Sequence, residues 1–287
     1  MYNISLCVLL IFLGHSLFGQ ETVKPKAKIY YEFTHIDDTT QPENPYTEDI
    51  MVLLSPAVSL QKSATMALVR SAVNEMIYNP KPNAAGVYVF ETPKIYKDAS
   101  AFEFYMHRGL QKLFLINNLY DTFYTIEQPF PSIDWELSQE QREIAGYTCQ
   151  KAIGTFKGRT YEAWFTTELP FEFGPWKLHG LPGLILEATD SKGEVSWRFT
   201  DLELLDEQSK DIINSPKDGV KTTLNKFTKL FDAVKKNPDA ARKAATLASP
   251  TGRIMMNNMY VTWFSVGLYK KENSKDKTVN NLLEISN

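Results

Sequence analysis

Between residues 86 and 205 the chain is a succession of short apolar runs cut by turn residues, and this spacing restricts the fold more than any other feature. The runs at 87–90, 101–105, 112–116, 120–127 and 133–137 are rich in aromatic and β-branched residues, which suit a pleated surface. The runs at 146–156 and 159–166 are joined only by Lys157-Gly158, which predicts a hairpin. Those at 184–189 and 195–205 are joined by Asp190-Ser191-Lys192-Gly193, another turn signal. Strands that meander through short turns form antiparallel sheets. The expected fold is α+β: a mainly antiparallel, curved or half-barrel sheet with a few helices packed on one side.

The flanks fit around this sheet. A strand is expected at 28–34, an acidic, proline-containing loop at 37–49 and a second strand at 49–54. Leu60, Ala64, Ala67, Leu68, Ser71, Ala72 and Met76 recur at helical spacing, which predicts a helix over 60–78 that Pro80 and Pro82 end. Leu224, Phe227, Leu230, Phe231 and Val234 mark the apolar stripe of a helix over 222–236. Asn237 reads as the N-cap of a second helix that starts at Pro238 and runs to about residue 248. A late strand is expected at 259–264. Neither repeats nor a low-complexity linker divide the chain, so residues 20–287 read as one domain.

Residues 1–19 have the form of a signal peptide. An apolar core from Leu6 to Leu13 is too short to span a bilayer and is followed by small Gly19, where cleavage is expected. No later stretch is long enough to cross a membrane, so the protein is not expected to be integral to one. Only Cys149 remains after cleavage, so the mature chain cannot close an internal disulfide. Its stability rests on core burial, a metal or a partner, and aromatics at 13% of 287 residues supply large buried surfaces. The net charge of −3 with no concentrated basic patch argues against a nucleic-acid partner.

The most specific segment is AGYTCQKAIGTFKGRTYEAWFTTELPFEFGPWKLHGLPGLILEATD, residues 145–190. It contains Gly180-Leu181-Pro182-Gly183-Leu184-Ile185 preceded by Gly146, Tyr147, Cys149, Lys151 and Ala152, then Phe156, Gly158, Arg159, Tyr161, Ala163, Trp164, Phe165 and Thr166. Gly174, Pro175, Trp176 and Lys177 complete the pattern. In this order the chain resembles the GLPGLI family, more loosely also at Tyr30–Phe33 and at 281–284. The resemblance implies an exported Gram-negative envelope protein. It also implies a coding sequence near those of outer-membrane TonB-dependent transporters, and it carries over no catalytic residues. Physically, Pro182 and Gly183 predict a tight type II turn into the strand at 184–189. The alternative is a rigid loop presenting Trp176, Leu181 and Leu184 to a ligand or partner.

Candidate chemistry is sparse. Cys149 with His179 is the one pairing of a nucleophile and a base that a thiol hydrolase would need. His35, Asp37 and Asp38, with Glu43, Glu48 and Asp49 nearby, offer ligands for a divalent ion, although their spacing matches no defined metal motif. His107 reads as a turn residue. No phosphate-cradling loop or dinucleotide fingerprint occurs, so no cofactor is expected. Arg159, Tyr161, Trp164, Trp176 and Lys177 combine aromatic and cationic groups that could grip an anionic or aromatic ligand, or instead fill a core. By strand alternation Arg159, Tyr161 and Ala163 share one face and Trp164 takes the other. The expected function is that of an exported periplasmic or outer-membrane-associated binding or accessory protein serving transport or envelope maintenance. Its partner would be a TonB-dependent transporter or a small apolar ligand. Metal handling and hydrolysis are the alternatives.

Overall fold

The computed structural model describes residues 22–82, 84, 99–119, 122–216, 219–237, 240, 268–269, 281 and 283–284. The leader at 1–19, the strands expected at 87–90 and 259–264, and the second helix apart from Ala240 lie outside these residues.

Among the described residues twelve strands form one sheet. Its middle is β2 (Ala27–His35), β3 (Tyr46–Leu54) and β4 (Val58–Ser63), from which β6 (Phe102–His107), β7 (Lys112–Leu119) and β8 (Thr122–Gln128) extend to one side. The chain then moves to the opposite edge. There β9 (Trp135–Ile144), β10 (Tyr147–Phe156), β11 (Arg159–Thr166), β12 (Leu184–Asp190) and β13 (Val195–Leu204) bring it back to β2. β15 (Val220–Thr222) adds parallel to β8, and the other pairings are antiparallel, as the short turns predict. Short β1 (Thr22–Val23) pairs with β14 (Ile213–Asn214), and β5 (Ala99–Ser100) with β16 (Leu268–Tyr269). The helices are α1 (Ala64–Tyr78), capped by the Ser63 hydroxyl, and α2 (Leu224–Lys236), capped by Thr223.

The link from β8 to β9 dictates that this sheet curls. These strands lie ten positions apart, about 48 Å if the sheet were flat. The chain from Gln128 to Trp135 can reach at most about 25 Å. The two ends of the sheet must therefore approach each other, which makes the half-barrel. The link itself is pinned inside the curve: Trp135 Nε1 donates to the His179 carbonyl at 2.8 Å, and the Phe130 ring meets the His179 ring edge-on at 4.9 Å.

Alternation sorts the side chains between two faces. Ile29, Tyr31, Phe33, Val52, Leu54, Met106, Leu113, Ala152, Tyr161, Ala163 and Trp197 form the inner core. Leu53, Val58, Leu60 and Tyr105 point the other way and are covered by Val23 and Ile213 of the β1–β14 pair. At the far end of the sheet α2 lays Phe227 against Leu115 and Ile126; of the expected stripe Phe227 and Val234 are buried, while Leu224 is exposed.

Two boundaries differ from the sequence expectation. β3 starts at Tyr46, within the stretch read as an acidic loop, because Glu48 is buried there. Its carboxylate accepts from the Ser100 backbone at 2.7 Å and from the Tyr46 hydroxyl at 2.9 Å, so an acidic residue is accommodated in a sheet. Residues 60–63 belong to β4 rather than to the helix. Leu60 faces Leu53 and Tyr105 across the ladders, and this packing outweighs the helical spacing it shares with Ala64.

Candidate functional site

The segment 167–183, between β11 and β12, fills the concave side of the sheet. Leu169, Phe171, Phe173, Trp176, Leu178 and Leu181 are all buried there. Phe173 and His179 form an isolated antiparallel bridge, so the segment folds back on itself. It reaches from its own strands, β11 and β12, to the other half of the sheet: the Trp176 amide donates to Gln61 Oε1 of β4, and Arg108, after β6, pairs with Glu172. Trp176 stacks on Trp197 (5.8 Å, 12° between planes) and meets Phe156 edge-on at 5.4 Å. These contacts hold Trp176 at φ 56, a conformation that bulky residues rarely adopt. Leu181 and Leu184 are 1% and 0% exposed, so these side chains and Trp176 pack the core rather than being presented to a partner.

The turn in this motif also differs from a type II turn. The Gly183 amide donates to the Leu181 carbonyl at 2.7 Å, a three-residue turn centred on Pro182, whose fixed φ suits it. Gly183 is required by close approach, since a Cβ there would lie 2.0 Å from the Thr166 carbonyl oxygen. Gly183→Ala is expected to destabilise the fold by about 3 kcal/mol, because only backbone movement can relieve the clash. A lowered urea midpoint with an unchanged m-value checks this, and an unchanged midpoint would refute the close approach.

The cationic residues of the predicted set hold the chain together. Arg159 (4% exposed) pairs with Asp190 at 2.6 Å and Glu194 at 3.0 Å and donates to Asn281 Oδ1 at 2.5 Å. The Asn281 amide in turn donates to the Ile36 carbonyl at 2.7 Å and to Glu194 at 3.0 Å. Lys177 pairs with Glu284, and its ammonium lies 5.4 Å over the Trp176 ring. Both residues thus clasp the C-terminal positions onto the rim of the half-barrel. Trp164 faces outward, half-buried, with the Arg142 guanidinium 4.2 Å from its ring centre.

The thiol and imidazole candidates are separate. Cys149 is fully buried on β10, its sulfur meets the Tyr147 carbonyl at 3.6 Å, and burial pushes its pKa up to about 11. A thiol in that setting is inert as a nucleophile. Among the described residues it shares no hydrogen bond with His179, whose Nε2 meets the Pro131 carbonyl at 3.0 Å. His35 ends β2 beside the Arg159 clasp, and the Asp38 carboxylate is occupied by the Thr40 amide and hydroxyl. Among the described residues no three His, Cys, Asp or Glu side chains converge to hold a metal ion. The residues proposed as ligands (His35, Asp37 and Asp38, with Glu43, Glu48 and Asp49) are not brought together.

Burial holds both imidazoles below their ordinary range. The Arg159 charge adds to this at His35, while the bond to Pro131 works against it at His179. The unfolded chain therefore binds more protons than the folded one as pH falls through the ordinary value of 6.5, and folding stability falls with it. The thermal midpoint is expected to drop between about pH 7.5 and about pH 5.5. The drop should be smaller in the His35→Gln/His179→Gln double variant. Equal slopes would remove the imidazoles as the cause.

An open concavity lies on the outer face of β6–β8, where Ser215, Pro216 and residues 221–226 border the β8 edge of the sheet. It is a groove of about 580 Å³ with Tyr105 and Phe114 on its floor. Lys112, Lys221, Lys226 and His107 stand around it with the hydroxyls of Thr125, Ser215 and Thr222. Lys112 is committed to Glu127. Among the described residues Lys221 and Lys226 have no acidic partner. His107 also accepts from the Leu110 amide, as a turn residue would. Sequence reasoning missed this site because its residues come from two distant segments with no shared motif. The signal available was a pair of lysines with threonines between them over 221–226, at the start of the predicted helix.

A family model described as "N-glycanase peptide, N-terminal domain" matches residues 112–224. None of the curated proteins matches. Two solved structures of PNGF-II, in the P21 and C2 space groups, align with TM-scores of 0.46 and 0.47 at 14% and 13% identity, covering 72% of this chain. The chain spans about a third of those chains, 33% and 32%. A third is an uncharacterised conserved protein from Thermus thermophilus, with a TM-score of 0.33 and 10% identity, covering 69% of this chain and 91% of that one. Among the described residues no helix is long and apolar enough to cross a membrane.

Proposed function

We propose that residues 20–287 form an exported binding or accessory module of the cell envelope, and that its ligand occupies the groove on β6–β8. The observation that carries this reading is the groove itself: an aromatic floor with, among the described residues, two lysines without an acidic partner at its rim. The residues first expected to grip a ligand are engaged in packing and clasping, and the groove is about three times the volume of the inner cavity of about 170 Å³ beside Trp176 and Trp197. The form of residues 1–19 and the resemblance to the GLPGLI family support the envelope setting, with a TonB-dependent transporter as the partner served. The matched family model takes in Lys112, Phe114, Thr125 and Glu127 together with Ser215, Pro216, Lys221, Thr222 and Thr223, so most of the groove lies within it.

The test is a native mass spectrum of the protein purified from the periplasm before chelator or detergent. The wild type is expected to carry an extra mass that the Lys221→Glu/Lys226→Glu variant lacks. A bare mass for both, or an extra mass retained by the variant, would remove the groove as the binding site. Recovery of the protein only from the cytoplasm would remove the envelope setting.

A further inference from the structure

We infer that the groove takes an anionic oligosaccharide, with the apolar face of a sugar ring on Phe114, which Tyr105 backs from beneath, and the acidic substituent at Lys221 and Lys226. This rests on the groove being the binding site. Tyr105 and Phe114 are cross-strand neighbours on one face, with ring centres 6.3 Å apart; Tyr105 is buried and holds the partly exposed Phe114 ring as the apolar floor. Thr125 and Thr222 line the walls, and each hydroxyl can donate and accept. A polyhydroxylated ring presents both an apolar face and a rim of hydroxyls, so it satisfies the floor and the walls together. A purely apolar ligand would strip water from two ammonium groups without replacing it, at a cost. A bare inorganic anion would leave the aromatic floor uncovered.

The charge specifies the acidic class. The whole chain carries −3, yet this groove holds Lys112, Lys221 and Lys226 against the lone carboxylate of Glu127. Lys226 lies in the first turn of α2, whose amide ends add positive potential on the same side. The resulting field attracts an anion, and the aromatic floor selects one borne on a ring. The family description of the matched domain, an N-glycanase, is consistent with a sugar as the ring.

The experiment is calorimetric titration of the protein purified from the periplasm with 3′-sialyllactose, 3′-sulfolactose and lactose. Both acidic sugars are expected to bind, with lactose weaker by about tenfold or more. Lys221→Glu/Lys226→Glu should bring the acidic sugars down to the level of lactose, and Phe114→Ala should weaken all three, with far-UV circular dichroism unchanged in both variants. A preference between the two acidic sugars distinguishes a carboxylated from a sulfated source. Equal affinity for lactose, or acidic-sugar binding untouched by the double lysine variant, would overturn the anionic assignment. If none of the three binds, the sugar inference falls. The groove-dependent mass in the native spectrum then decides separately whether the binding reading stands.

Discussion

Arg159→Ala is expected to lower the unfolding free energy by about 3–5 kcal/mol, because it removes one partner of a buried ion pair and leaves the other charged. The side chains of Arg159 and Asp190 are both 2% exposed, so water cannot solvate the carboxylate left behind. Asp190 keeps two backbone donors, the amides of Glu194 and Val195 at 2.7 and 3.0 Å, which soften the loss without replacing the cation. Asn281 loses its guanidinium partner but keeps the Ile36 carbonyl. Arg159→Lys should fall between the wild type and the alanine variant, since one ammonium cannot serve Asp190, Glu194 and Asn281 with the geometry of a planar fork. Urea unfolding of the three proteins measures this. A midpoint for Arg159→Ala within the error of the wild type would show that the pair contributes no net stability.

Arg159 also shows how much the sequence discloses. Its alternation with Tyr161 and Ala163 predicts a shared face, and the three are buried together while Trp164 lies outward. The hairpin at Lys157-Gly158 is equally legible: both residues have positive φ (51° and 79°), which the two-residue turn demands. Asn237 also acts as the cap its sequence context predicts, accepting from the Ala240 amide at 3.1 Å. The role of the 167–183 segment is harder to read. Its acidic and proline residues resemble a surface loop, yet Leu169, Phe171 and Phe173 alternate as a strand would and bury every second side chain without joining the sheet. Local pattern predicts burial there but not that the segment plugs a half-barrel, because the curl depends on the strand order. That order follows from the short β8–β9 link only once the pairing of β2 with β13 is known. The groove is less legible still, since it exists only where β6–β8 meet Ser215, Pro216 and residues 221–226.

Trp197→Ala is expected to cost about 3–5 kcal/mol, whereas Trp164→Ala should cost about 1 kcal/mol or less. The contrast tests the assignment of faces directly. Trp197 is 1% exposed and sits at the centre of the inner aromatic cluster. It stacks on Phe33 at 5.1 Å and Trp176 at 5.8 Å and lies 6.0 Å from Tyr161. Removing it leaves a void that β2, β11 and the 167–183 segment all border, and three elements pinned by separate ladders and hydrogen bonds cannot collapse into it together. The hold on Trp176 in its left-handed conformation weakens at the same time, so the loss exceeds that of transferring one indole to water. Trp164 contributes mainly its contact with Arg142, which Glu187 also engages and water reaches. Thermal unfolding of both variants separates the cases. Similar losses at the two positions would mean that the sheet buries both faces near β11, and the plugged half-barrel would have to be redrawn with a second layer outside it.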